Sequence, residues 1–321
     1  MAMMPAFLAG LRLGKPVRTD NLAMVPLFHD QNVVPDYLTL EEGIDNSCLV
    51  VEEVDESGSV NDILFRNKSD KKALLFEGEE FLGAKQNRIL NVSIFADADS
   101  KQVIPVSCVE AGRWQHRSKR TDQRRFRMAD RMHYARGRAA ENSAVNLNLA
   151  ARNEYRGNQS GVWQDIRAKS ARLNAQSQTG ASDAMFQSTA ELMDKHVTTI
   201  KHKKKQIGSA FVVDGVVSGV EIFASEKTHA HMLPRLVRSY ALDAIDNQRM
   251  EHADTDAKID DDNTVKRRTK EFIEGLQNSW IKETKGVCLG HNIRFQDEDI
   301  TGGALVHDDT VLHLCAFATA S

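Results

Sequence analysis

The chain has 321 residues, 41% of them hydrophobic and 27% charged, with 42 Lys and Arg against 45 Asp and Glu and a net charge of −3. This composition excludes a disordered chain, and the near balance of charge excludes a global drive towards nucleic acid or an anionic membrane surface. No run approaches the length of a membrane-spanning helix, and the length suits one large or two ordinary domains.

The opening MAMMPAFLAGLRLGK is apolar, lacks a basic start and is broken by Pro5 and Arg12, so it reads as a partly flexible leader rather than a signal peptide. Leu22 to Phe28 reads as a first strand and Leu38 to Gly43 as a short helical turn. Ser47 to Glu53 and Ile63 to Arg66 read as strands, with turns at Glu56-Ser57-Gly58 and Asn67 to Asp70. In the next run Ala73, Leu75, Glu77 and Glu79 share one face. Phe81-Leu82-Gly83 reads as a bend, and Gln86, Arg88, Leu90, Val92 and Ile94 share the core face of the returning run. One register sets Glu77 opposite Arg88 and Glu79 opposite Gln86; a slip of one residue brings in Lys85 and Asn87 instead. Gln102 to Glu110 follows with Ile104, Val106, Cys108 and Glu110 on one face. Pro105 marks that strand as an edge or a bulge, and Gly112-Arg113-Trp114 ends it. Residues 20–115 thus read as an antiparallel, sandwich-like β module.

Carboxylates, amides and a guanidinium inside β-branched surroundings must pair, because an isolated buried charge is costly. Two readings stay open. In one, the groups form an ion-pair network that sets the register of the hairpin. In the other they line a ligand: Glu77 and Glu79 as acid/base groups or ribose-hydroxyl acceptors, Arg88 as an anion clamp, Gln86 and Asn87 as orienting amides. Glu110, Arg113 and Trp114 would extend that site, Trp offering a stacking face.

The strings EGEEFLGAKQNRILN and IPVSCVEAGRW, with the later GVVSGVEIFAS, LPRLVRSYALDA and VLHLCAFA, run from about Asp20 to Phe317. Together they resemble a domain family named for its association with ADP-ribosylglycohydrolases and rhodanese-phosphatases. The resemblance implies nucleotide or ADP-ribose chemistry in a prokaryotic stress or conflict pathway, by association rather than by mechanism.

From Arg113 to Arg138 ten basic residues (Arg113, Arg117, Lys119, Arg120, Arg124, Arg125, Arg127, Arg131, Arg136, Arg138) interleave with Phe126, Met128, Met132 and Tyr134. They read either as a phosphate-binding surface or as a solvated face balanced by the acidic stretch Asp254 to Asp262. Residues 116–205 form a basic, helical segment; Trp163, Ile166 and Leu173 anchor one helix and Ser160 is its candidate cap. Lys201 to Lys205 reads as a solvated helix end. Residues 206–321 read as an α+β module packed on the first. Phe211 to Val217 turns at Asp214-Gly215, the signature of a type I′ hairpin, and Glu221 on its second strand is expected in solvent. Leu233 to Ile245 is an amphipathic helix with Pro234 in its first turn. Phe272, Ile273, Leu276 and Trp280 mark a short helix, and Gly286 to Phe317 three strands that return to sheets shared by both halves. His313 reads as a satisfied core or surface residue.

The fold class expected is therefore α+β: a sandwich-like N-terminal half, a helical middle, and C-terminal strands and helices completing the same or an adjacent core. Cys48, Cys108, Cys288 and Cys315 stand apart and read as reduced core thiols of a cytoplasmic protein. His229 and His231 have no third ligand in view, so no metal site is expected, and nothing names a cofactor. Three functions compete: a binder or enzyme for an ADP-ribose- or NAD-like nucleotide; a non-enzymatic interaction module; and, disfavoured by the charge balance, a nucleic-acid binder using the basic run. No Ser-His-Asp, Walker, zincin or Rossmann signature chooses between them. A homo-oligomer is left open.

Overall fold

The computed structural model describes residues 3–31, 33–114, 125–250 and 261–319. In chain order these form α1 (Met3–Ala9), β1 (Arg12–Leu13), β2 (Val17–Thr19), β3 (Leu22–Phe28), β4 (Tyr37–Thr39), α2 (Leu40–Asp45), β5 (Leu49–Glu53), β6 (Asp62–Asn67), β7 (Lys72–Leu75), β8 (Glu79–Gly83), β9 (Arg88–Leu90), β10 (Ile94–Ala96), β11 (Ser100–Cys108) and β12 (Phe126–Met132). Four helices follow: α3 (Ala135–Arg152), α4 (Gln159–Arg172), α5 (Asp183–Ser188) and α6 (Ala190–Thr199). The last part is β13 (Gln206–Val213), β14 (Val216–Phe223), α7 (Glu226–Met250), α8 (Asp262–Asn278), β15 (Trp280–Lys285), β16 (His291–Gln296), β17 (Ile300–His307) and β18 (Thr310–Ala318). The protein is α+β, with antiparallel pairing in every strand pair described except β4 with β7.

Three sheets carry the strands. The largest runs β1-β3-β13-β14-β18-β17-β16-β15, with β2 added on β3. It takes strands from both ends of the chain, so the two halves share a sheet: β3 pairs with β13 along most of its length. A six-stranded sheet runs β12-β8-β9-β11-β6-β5, and β10-β7-β4 forms a third. Alternation builds the large sheet's two cores. In β13, Phe211 and Val213 enter one core with α7, whereas Ala210 and Val212 enter the other with α1 and α8. A third core fills the smaller sheets.

Several local expectations are corrected. The apolar start is not a loose leader: α1 buries Met4, Phe7 and Leu8 in the second core. The β8–β9 hairpin sets Phe81 opposite Arg88 and Glu80 opposite Ile89, so neither expected register occurs. Its connection spans Ala84 to Asn87, with Ala84 at positive φ (41°), several residues beyond the expected bend. Pro105 lies inside the sheet rather than on an edge. It pairs with Asp62 at the end of the β6 ladder, and β11 continues with β9 from Val106 onward; the missing N–H falls where the partner changes. Pro234 lies well inside α7 rather than in its first turn, because α7 begins at Glu226. Asn158, not Ser160, caps α4, its side chain accepting from the Gly161 N–H. The Asp214-Gly215 turn forms with both residues at positive φ.

Candidate functional site

Six of the eight expected site residues come together at the β8–β9 turn and the end of β11. Pairing of Cys108 with Arg88 across β11 and β9 carries Glu110 alongside the turn. The Glu110 carboxylate accepts the Asn87 backbone N–H (3.1 Å), both arms of Arg113 (2.9 and 2.6 Å) and the Thr179 hydroxyl (2.7 Å). Burial pushes the Glu110 carboxyl up, but Arg113 and Thr179 outweigh it and hold it below the usual carboxylate range. Gln86 donates to the Glu110 carbonyl (2.8 Å) and accepts from Arg88 (3.1 Å). Arg113 also donates to the Ala84 carbonyl (2.6 Å), tying the end of the strand to the turn.

Arg88 is the unusual member. It is 0% exposed, yet no carboxylate lies within 4.0 Å of its guanidinium among the described residues. Its donors go to Gln86 Oε1 and the carbonyls of Asn87 (3.3 Å) and Ser59 (3.2 Å), and its Nε has no acceptor. Burial lowers its pKa, opposed by the Cys108 thiol and then by Glu53. Cys108 itself is pushed up by burial, partly offset by Arg88. Beside it, Lys85 donates to the carbonyls of Glu56 (2.5 Å) and Ser57 (2.6 Å). Trp114 lies across both cations, its ring centroid 5.3 Å from Lys85 Nζ and 5.8 Å from the Arg88 guanidinium. Trp114 is itself 43% exposed, so its other face meets the surface. Asn87 adds a buried Nδ2 with no partner among the described residues.

Glu77 and Glu79 are not part of this cluster. Glu77 sits in the turn between β7 and β8. It receives Arg138 Nη2 (2.9 Å) and the Cys315 thiol (2.9 Å). The same Arg138 donates to Glu221 (2.6 Å), which also receives Tyr240 (3.1 Å). Gly78, at φ +82°, is required here: a Cβ would stand 2.2 Å from Arg138 Nε. Glu221, expected in solvent, is 0% exposed, because helices cover the face of β14 to which it points. Burial raises its carboxyl, but Arg138 and His313 reverse this and hold it below its ordinary value. Ser93, His313 and Glu221 stand in a row (2.7 and 3.5 Å). The order is that of a hydrolase relay, but Ser93 also takes the Glu77 N–H (3.0 Å), and all three residues are sealed in the core. Glu79 pairs with Arg235 (3.0 Å) and takes the Phe76 N–H (2.9 Å); burial still lifts its carboxyl above the ordinary range despite Arg235.

Sequence reasoning missed Glu53 and Lys85 as a neighbour of Trp114, and it named Arg138 only as part of the basic run, not as the buried partner of Glu77 and Glu221. The turn signal Glu56-Ser57-Gly58 was visible, but not that the Glu56 and Ser57 carbonyls face Lys85 and that the Ser59 carbonyl just beyond the turn faces Arg88. In the basic run, Arg117, Lys119, Arg120 and Arg124 lie outside the described residues. Arg131 and Arg138 are buried ion-pair members rather than surface charge. In the acidic stretch, residues 254–260 also lie outside the described residues. No helix among the described residues is long and apolar enough to cross a membrane. No group of three or more His, Cys, Asp or Glu residues suited to a metal ion occurs among them.

Residues 10–317 match the family model of the ARG and Rhodanese-Phosphatase-superfamily-associated Protein domain. No curated protein and no solved structure matches the chain.

Proposed function

We propose, from the premise that this chain belongs to the family of the ARG and Rhodanese-Phosphatase-superfamily-associated Protein domain, that it binds an ADP-ribose- or NAD-like nucleotide at the Arg88–Trp114 cluster. The observation that carries this reading is Arg88, a fully buried guanidinium with no carboxylate partner among the described residues. An unpaired buried charge is costly, and an arriving phosphate offsets that cost with bidentate geometry. Arg88 and Lys85 donate to loop carbonyls at Glu56, Ser57 and Ser59; phosphate oxygens are stronger acceptors and take over those donors as the 54–61 loop yields. The outer face of half-exposed Trp114 is a platform for an aromatic base. Glu77 and Glu79 have no chemical role in this reading, since each is committed to a buried arginine. The reading is therefore of binding, with the family's neighbourhood in stress or conflict pathways as its setting.

Arg88→Met separates this from a structural role. Met fills the same space without the charge, so the ligand-free variant is expected to melt within a few degrees of the parent or above it. ADP-ribose or NAD at about 100 times its dissociation constant stabilises the parent by about 2.7 kcal/mol, and the variant loses that response. Thermal melting with each ligand reads both effects. A parent that responds to neither nucleotide, with a variant that melts far lower, overturns the proposal.

A further inference from the structure

A carboxylate faces the same cluster and has spare capacity. Glu53, at the end of β5, is 3% exposed. Its Oε1 accepts the Lys85 backbone N–H at 3.0 Å, whereas its Oε2 has no donor among the described residues. The Lys85 ammonium is close by: a Cβ built on Gly58 would stand 3.3 Å from Glu53 Oε2 and 3.4 Å from Lys85 Nζ. Yet the two form no ion pair, and Lys85 gives its protons to the Glu56 and Ser57 carbonyls. Glu53 also acts on Arg88 through space without coming within 4.0 Å of it. Two buried groups of opposite sign, Glu53 and Arg88, thus each keep a polar atom without a partner among the described residues, Oε2 and Nε, and form no ion pair with each other. An ionised carboxylate is an acceptor only, so what Glu53 Oε2 lacks is a donor. A bare anion satisfies Arg88 and leaves Glu53 as it is, or repels it.

We infer that the molecule bound at Arg88 carries a hydroxyl donor close to its anionic group, and that Glu53 reads that hydroxyl. The ligand class is then a phosphorylated sugar with free hydroxyls, such as the ribose of a nucleoside diphosphate, rather than a simple polyphosphate. This rests on the anion reading of Arg88 and deepens it. Gly58 serves the arrangement: at φ +74° and without a side chain, it leaves open the space that Glu53 and Lys85 border.

The test compares two probes on two proteins by calorimetry: ADP-ribose and inorganic pyrophosphate, on the parent and on Glu53→Gln. The variant retains an oxygen for the Lys85 N–H, and its melting curve checks that it folds; Glu53→Asp, which keeps the charge, is the second variant if it does not. The expected result is ADP-ribose weakened at least about 10-fold while pyrophosphate is unchanged or binds more tightly, since a lost acceptor weakens only a ligand that donates to it, whereas a lost negative charge can only favour a bare anion. Equal weakening of both probes, or of neither, overturns the role of Glu53 and leaves the Arg88 reading standing. A parent that binds pyrophosphate but not ADP-ribose also overturns it. If the parent does not bind pyrophosphate, the anion reading fails and takes this inference with it.

Discussion

His229 is buried on α7 with its Nε2 2.9 Å from Ser209 Oγ. Burial, helped by the nearby His202, lowers its pKa from 6.5 to about 3. The folded pKa lies below the unfolded one, so the stability that neutral His229 contributes is complete above pH 6.5 and is lost as pH falls towards 3. In that window the unfolded chain binds a proton that the folded chain refuses, at about 1.4 kcal/mol per pH unit. Urea unfolding at pH 7 and pH 4 is expected to give a drop about 3 kcal/mol smaller for His229→Gln than for the parent. Equal drops would mean that the ring is protonated in the folded state. At this scale the sequence offers residue types and no environments. Glu221 and Glu53 look alike as strand glutamates, yet one is clasped by Arg138 and the other keeps an oxygen with no partner among the described residues.

At the scale of elements, local chemistry can be read well where it is self-contained. The Asp214-Gly215 hairpin and the strand Leu22–Phe28 form as expected. The short helical turn expected at Leu38 to Gly43 forms from Leu40 as α2, behind a capping box that was not foreseen: the Thr39 side chain accepts the Glu42 N–H (3.3 Å) and Glu42 Oε2 accepts the Thr39 N–H (2.9 Å). Thr39→Ala is expected to cost about 1 kcal/mol and Thr39→Ser only a few tenths, read from urea midpoints; equal costs would place the effect in packing rather than in the cap. The β8–β9 register was not legible, for a physical reason. Gly83 advertises positive φ and takes it, but Ala84 takes it too, and an alanine there gives no sign. The turn falls beyond the expected bend, so Glu77 and Glu79 part company with Arg88.

For the whole molecule, one buried arginine joins three distant segments. Arg138 on α3 bridges Glu77 before β8 and Glu221 on β14, so each third of the chain supplies a charge to one site. Arg138→Met leaves two buried carboxylates without the arginine that pairs them and is expected to cost about 3–5 kcal/mol. Adding Glu77→Gln and Glu221→Gln to it should recover much of that loss, because the three residues act as one unit. Additive losses across the three substitutions would refute that coupling. By itself the sequence determined the α+β class and most kinds of element, pointed to a core shared by or adjacent to both halves, and grouped Gln86, Asn87, Arg88, Glu110, Arg113 and Trp114 in one region, together with Glu77 and Glu79, which the fold separates from them. These rest on periodicity, turn chemistry and short separations along the chain. Only the tertiary structure decided which charges are matched. Arg138 finds Glu77 61 residues away and Glu221 83 residues away, and Arg88 finds no carboxylate among the described residues. Burial and partnership are set by contacts between segments that no local pattern encodes.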